Sequence, residues 1–231
     1  MKCKHCGGSS LTKKGIRNHK QRLYCKTCCK YSQSRYTYKA YEQNTDGMII
    51  MLLKESCSVR GISRILKIST KTVLSRMLKI SDAIDPPDLN DLGCSFEVDE
   101  LWTFVGNKSQ VVWLTYAIER KSRMVIDFHV GRKSKEAIAP LINKVMILQP
   151  NQIFTDKLNI YPSLIPSEVH RFRKYCTNKI ERKNLTLRTH IKRLSRKTIC
   201  FSRERKYLVA HLKIYFWSNN NLSPTLSAYS S

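Results

Sequence analysis

Acidic residues are scarce in this chain. Its 231 residues hold 17 Asp and Glu against 42 Lys and Arg, a formal net charge of +25. No packed core needs that excess, which implies a large polyanionic partner, and nucleic acid is the usual one. Long apolar runs are missing as well. The longest, Met48 to Leu53, falls far short of the roughly 20 residues a spanning helix requires. No basic amphipathic helix carries an aromatic face, which argues against an anionic membrane as the partner. Met1-Lys2 leads straight into Cys3 rather than into the apolar segment of a signal peptide. A cytoplasmic, nucleoid-associated protein is expected. Inside the cell nine cysteines read as metal ligands or scattered core thiols, not as disulfides. Internal repeats are absent.

The length allows one domain of about 150 residues plus small modules. Residues 1–35 are rich in Cys, Lys and Gly and poor in core-forming side chains. Residues 45–84 show helical periodicity, and Asp85-Pro86-Pro87-Asp88 ends it, since proline lacks the N–H and restricts its predecessor. Residues 85–93 are expected as a linker, 94–217 as alternating strands and helices, and 218–231 as a disordered tail.

Cys3 and Cys6 form one Cys-x-x-Cys and Cys25 and Cys28 a second, with residues 7–24 between them. Two such knuckles supply four thiolates in a tetrahedron, which suits Zn²⁺. Gly7 and Gly8 follow the first pair, where a tight knuckle needs a permissive backbone. So small a segment needs a staple, and metal binding would supply its folding energy. His5 and Cys29 lie close by, but the regular spacing favours the four cysteines. Lys13, Lys14, Arg17, Lys20 and Arg22 point to DNA contact. A protein-binding knuckle is the milder alternative.

Asp46 is placed to cap a helix carrying Ile49, Ile50, Leu52 and Leu53. Ser58 to Leu66 sets Val59, Ile62, Ile65 and Leu66 on one face. After Lys67-Ile68-Ser69, a helix capped by Ser69 or Thr70 would bury Val73, Leu74, Met77, Leu78 and Ile80. Helix, short turn and helix is a helix-turn-helix arrangement. The start of its second helix would offer Thr70, Lys71, Thr72, Ser75 and Arg76 to base edges. Three helices packed on one another without binding DNA would give the same periodicity.

Phe96 to Val105, Val111 to Ile118 and Met124 to Val130 read as three successive strands, with turns at 106–110 and 119–123. Ser134 can cap a helix to about Leu148, with Ile138, Leu141, Ile142 and Val145 inward. Gln152 to Asp156 is a short buried strand ending on a carboxylate. This order predicts an α/β domain of the ribonuclease-H-like kind. Alternation puts Glu97, Asp99 and Leu101 on one face of the first strand and Val98, Glu100 and Trp102 on the other. A carboxylate inside a core strand is costly without a cationic partner, and Mg²⁺ is one such partner. Two such ions about 3.5–4 Å apart would activate an attacking hydroxyl and steady a leaving oxygen. An arginine beside Asp99 would satisfy it equally. The last helical stretch, Asn178 to Ser195, buries Ile180, Leu187, Ile191 and Leu194. Glu181, Asn184 and Arg188 lie one turn apart on an adjacent face. Spacing alone leaves Glu181 equally a salt-bridge partner for its many basic neighbours, of which Arg182, Arg188 and Lys192 are expected to contact DNA.

Three stretches carry a likeness to a known family. They are Val98 to Gly106 with Trp113, Tyr116, Ala117 and Arg120; Thr155-Asp156 followed by Tyr161; and Ile180 to Arg188. Over roughly residues 1–217 the chain resembles transposases of the insertion sequence one family, which combine a zinc ribbon, a helix-turn-helix and an Asp–Asp–Glu ribonuclease-H-like domain in this order. The resemblance implies that Asp99, Asp156 and Glu181 are the catalytic residues and hold Mg²⁺ or Mn²⁺, with residues 157–180 between the last two. It further implies binding to terminal inverted repeats, hydrolysis at the element's ends and joining of the freed 3′-hydroxyl to target DNA. Transposition would be of the cut-and-paste or copy-and-paste kind, by a homo-oligomer on double-stranded DNA. Lys157 departs from the family pattern, which has a small residue there, and the usual tryptophan soon after is missing. The rival reading is a DNA-binding regulator with an inert nuclease-like domain.

Overall fold

The computed structural model describes residues 1–34, 40, 44–88, 92–172 and 176–218. The tail expected at 218–231 lies outside them from residue 219 onward, as does part of the 85–93 linker. Two compact units divide the chain, Met1–Gln43 and Asn44–Ser231.

The first unit is a three-stranded antiparallel sheet of β1 (Leu11–Arg17), β2 (Lys20–Cys25) and β3 (Tyr31–Gln33), in that order. Arg17 pairs with Lys20 across Asn18 and His19, whose φ values are 50° and 58°. Positive φ at both turn residues matches the right-handed twist of a hairpin, and Asn tolerates it best among side-chain-bearing residues. Among the described residues of this unit, the buried apolar ones are Cys3, Leu23, Cys25 and Ala40, too few to hold a fold by burial alone.

The second unit opens with α1 (Thr45–Lys54), α2 (Val59–Leu66) and α3 (Thr70–Asp82). Ser69 caps α3 by accepting from the Thr72 N–H at 3.0 Å, and Lys67 turns the chain at φ 53°. The expected cap at Asp46 is corrected. Asn44 is the N-cap, in a left-handed conformation without a side-chain bond, and Asp46 lies in the first turn, ion-paired with Arg76 at 3.1 Å.

Then come β4 (Ser95–Phe104), β5 (Val111–Glu119), β6 (Val125–Gly131), α4 (Lys135–Ile147), β7 (Gln152–Phe154), β8 (His170–Arg171), α5 (Asn178–His190) and α6 (Arg205–Trp217). The sheet order is β6-β5-β4-β7-β8. β4, β5 and β6 form an antiparallel meander, and β7 and β8 add parallel strands beyond β4. As expected, Ser134 caps α4, accepting from the Ala137 N–H at 3.4 Å. Phe96, Val98, Ala117 and Ile126 meet Ile138, Leu141, Ile142 and Val145 of α4 on one face. Leu101, Leu114, Tyr116 and Ile118 meet Ile180, Leu187, Leu208 and Leu212 on the other. With helices on both faces, β4 is buried on both, so its apolar residues do not simply alternate. The helix expected over 178–195 ends at His190, followed by a 3-10 turn at Lys192–Leu194. No described helix is long and apolar enough to cross a membrane.

Residues 45–84 were expected as a module of their own, but α1 and α3 share one compact unit with the sheet. α6 is the reason. It packs on α1, α3 and β6, its buried His211 lies 3.4 Å from the Leu53 carbonyl, and Trp217 donates to the Val125 carbonyl at 2.8 Å. Its apolar positions surround nearly the whole helix (Leu208, Ala210, Leu212, Ile214 and Trp217), so periodicity gave little sign of an amphipathic element.

Glu97 fixes α5. It is fully buried; Oε2 accepts from the Ile180 N–H at 2.8 Å, and Oε1 pairs with Arg120 Nε at 3.0 Å. The N-cap residue Thr177 supplies no capping bond, so a carboxylate from the sheet takes an otherwise orphan N–H and meets the positive end of the helix dipole. Glu97→Ala strands Arg120 and that N–H. We expect a loss of about 3–5 kcal/mol in denaturant unfolding. A loss under about 1 kcal/mol would mean that the apolar stripe of α5 alone holds the helix.

Candidate active site

β7 runs beside β4 only as far as Phe154, which pairs with Glu97. Beyond that point no described strand pairs with β4 on this side until Val105, just past its end, bridges Ser202, and the next two acidic residues, Asp99 and Glu100, border the gap. Asp156, two residues past the end of β7, enters it. The expected strand thus stops short of its carboxylate. Thr155 is buried with Oγ1 2.8 Å from His170 Nε2 and donates to the Asp156 carbonyl at 2.9 Å, while Asp156 Oδ1 accepts from the Leu158 N–H at 2.9 Å. These bonds fix the turn that presents the carboxylate.

Carboxylate oxygens of Asp99, Glu100 and Asp156 lie within 4.8 Å of one another. Asp99 Oδ1 accepts from the Glu100 N–H at 2.8 Å and Oδ2 from Asn184 Nδ2 at 2.7 Å. Burial, with the nearby charges of Glu100 and Asp156, pushes the Asp99 carboxyl up to about 7, against the opposing pull of the Glu100 N–H and Asn184. Burial raises Glu100 as well, opposed by its bonds to Tyr161 and Lys133. Hard oxygen donors gathered where their ionisation is costly are what a divalent cation relieves, so the donor set fits Mg²⁺ or Mn²⁺.

Glu181 stands outside this trio. Glu181 is itself exposed in the first turn of α5, and its Oε1 accepts from Thr177 Oγ1 at 2.9 Å. Asn184, next along the same helix face, is the α5 residue that touches Asp99. It also accepts from the buried Tyr116 hydroxyl at 2.8 Å. Glu100 and Asn184 are the site residues that pattern reading did not single out as ligands or partners. Alternation assigned Glu100 to the opposite face from Asp99, and only the early end of β7 lets both reach one gap.

The expected DNA contacts divide. Thr70, Lys71 and Ser75 are exposed at the start of α3, Thr72 is half-buried, and Lys192 and Arg182 are exposed. Arg76 is taken by Asp46. Arg188 donates to the carbonyls of Leu194 at 2.7 Å and Trp102 at 3.3 Å, so it ties the end of α5 to the sheet.

Residues 92–215 match the IS1 transposase family. The chain belongs to that family. The insertion element iso-IS1n protein InsB of Shigella dysenteriae is 41% identical over 107 residues, 46% of this chain and 82% of that protein. The insertion element IS1 2 protein InsB of Escherichia coli strain K12 is 34% identical over 140 residues, 59% of this chain and 77% of that protein. Among solved structures, a simian T-cell lymphotropic virus intasome in complex with PP2A regulatory subunit B56 gamma aligns at a TM-score of 0.38 and 13% identity, over 72% of this chain and 65% of that one. A likeness that distant carries no argument. Transposases act on DNA, which accounts for the charge of +25. The five-stranded mixed sheet fits the ribonuclease-H-like expectation.

In the first unit, sulfurs of Cys3, Cys6, Cys25 and Cys28 all lie within 4.8 Å of one another. The Cys3–Cys28 and Cys6–Cys25 separations are both 3.7 Å. A tetrahedron with Zn–S bonds of about 2.3 Å has edges of about 3.8 Å, whereas a disulfide requires about 2.05 Å. Backbone N–H groups led by Cys28 draw the Cys25 thiol down to about 6, while burial pushes Cys28 up to about 12. Four thiols this close cannot all ionise without a cation among them. The purified protein is therefore expected to carry about one zinc per chain. Cys25→Ser should release it and unfold residues 1–34, read by zinc analysis and by proteolysis of the N-terminal unit. A reduced, zinc-free protein with that unit still protected would overturn the assignment.

Proposed function

We propose that this transposase hydrolyses the phosphodiester at the ends of its element and joins the freed 3′-hydroxyls to target DNA, with Asp99, Asp156 and Glu181 as its divalent-cation ligands. The observation that carries the reading is the meeting of Asp99 and Asp156 at the gap beside β4, within the segment that matches the family. Glu181 shares a helix face with Asn184, which already touches Asp99, and that nearness along α5 supports its place in the ligand set. When bound, a pair of divalent cations supplies activation of the attacking hydroxyl and stabilises the leaving oxygen. Asn184 fixes the Asp99 carboxylate, and the Thr155–His170 contact holds the Asp156 turn. The exposed bases Arg182 and Lys192 approach the DNA backbone. Lys157, exposed beside Asp156, is a further phosphate contact.

α2 and α3 act as a helix-turn-helix that recognises the terminal inverted repeats, with Thr70, Lys71, Thr72 and Ser75 toward the bases. Residues 1–34 form a zinc ribbon that adds DNA contact. Both ends of the element must be handled together, so the protein works as a homo-oligomer.

Cleavage is tested by gel-resolved nicking of a labelled terminal repeat with Mg²⁺ or Mn²⁺. Asp99→Asn, Asp156→Asn and Glu181→Gln should each lose cleavage and joining together, by about 10³-fold or more, while retaining end binding. Normal cleavage by Glu181→Gln would remove it from the ligand set. Recognition is tested separately. Lys71→Ala should weaken binding to the terminal repeat by about tenfold and to random DNA by much less. Equal losses on both DNAs would make α3 a structural helix with a phosphate contact.

A further inference from the structure

Glu100 points to the side of β4 opposite Asp99, as strand alternation requires, yet its carboxylate reaches both Asp99 and Asp156. Its two oxygens have separate partners. Oε1 accepts from the hydroxyl of Tyr161, which is fully buried at the start of the 3-10 turn Tyr161–Ser163. Oε2 pairs with Lys133 Nζ at 3.3 Å. That ammonium also lies 4.6 Å from the centre of the Trp113 ring. Lys133 lies two residues past the end of β6 and immediately before the α4 cap Ser134, in a short connection between two regular elements. The Glu100 side chain is only 1% exposed in this pair. A carboxylate is thus anchored from two sides, at a cost in desolvation, beside two others that it repels.

We propose that Glu100 is an additional carboxylate of the divalent-cation site, and that Lys133 is the built-in positive charge that holds it there while no cation is bound. This rests on the reading of Asp99 and Asp156 as ligands. Tyr161 sets the direction of the carboxylate, and Lys133 offsets part of the negative charge of the trio. With a divalent cation in place the ammonium is redundant and repelled. It then leaves Glu100, keeps the Trp113 face within reach, and is free to meet a DNA phosphate. Lys133 therefore competes with the cation for Glu100, and Glu100 is one of the carboxylates that hold the cation. The two substitutions must act in opposite directions on metal affinity.

The test measures Mn²⁺ binding to the full-length protein without DNA, by electron paramagnetic resonance of the free ion. Mn²⁺ prefers oxygen ligands to thiolates, which keeps the N-terminal cysteines out of the measurement. Glu100→Gln keeps the shape of the side chain and an acceptor for Tyr161, and should weaken binding by about tenfold. Lys133→Met should tighten it by about tenfold, a gain that a merely structural role for the lysine would not produce. Lys133→Arg should restore affinity to near that of the parent. The double variant should resemble Glu100→Gln alone, because the lysine acts through Glu100. Parent-like affinity in Glu100→Gln, or binding no tighter in Lys133→Met, overturns the inference. Asp99→Asn separates the two levels. If it keeps full affinity, the ligand reading itself fails. If it loses binding while Glu100→Gln does not, only the role of Glu100 falls.

Discussion

One buried carboxylate organises the catalytic half of this protein. Glu97 reaches from the central strand β4 to the N-terminus of α5 and to Arg120. Without it, α5 would begin on uncapped N–H groups over an apolar face, free to slide along its stripe of Ile180 and Leu187. With it, the helix has one register. That register brings Asn184 to Asp99 and stacks Glu181 one turn earlier on the same side. The price is a charge fully withdrawn from water, tolerable because a guanidinium and a helix dipole share it.

The second constraint is topological. A parallel strand that stops after three residues leaves a gap beside a ten-residue strand. Backbone groups and side chains that a longer β7 would have covered face that gap instead. Ligand sites of open α/β sheets collect where strands end and the chain turns away, and the three clustered carboxylates follow that rule. The N-terminal unit obeys a different economy. With few buried apolar residues among those described, it has little beyond its hairpin and its four clustered sulfurs to hold it together.

Much of this was legible in the sequence. β4, β5 and β6 announce themselves by dense β-branched and aromatic residues, and α4 by its Ser134 cap and its apolar stripe. Cysteine spacing alone brought together four thiols that the fold places at tetrahedral separations. What pattern could not show is partnership. Arg76 and Lys71 look alike in sequence, yet Arg76 is spent on Asp46. Arg188 and Arg182 differ in the same way, since two carbonyl bonds tie the half-buried Arg188 to the sheet while Arg182 is exposed. Glu100 was hidden by alternation, which is blind to where a neighbouring strand ends. No periodicity links Asp99 with Asp156, 57 positions apart; the order of strands and helices puts them on neighbouring strands, and the family resemblance gives them a shared role. α6 escaped notice because it is apolar around most of its circumference.

That last helix also sets an order of events during synthesis. α1 and α3 leave the ribosome early, but the surface that buries them is Arg205–Trp217, more than a hundred residues later. Until it arrives, Ile50, Leu53 and their neighbours have only one another for cover. A nascent chain of this kind is exposed to aggregation for most of its translation. A chain halted before Arg205 would carry its N-terminal helices without their lid and would lack Leu208 and Leu212 from the core that α5 shares on one face of the sheet. Completion of the last helix is thus a checkpoint on the whole second unit.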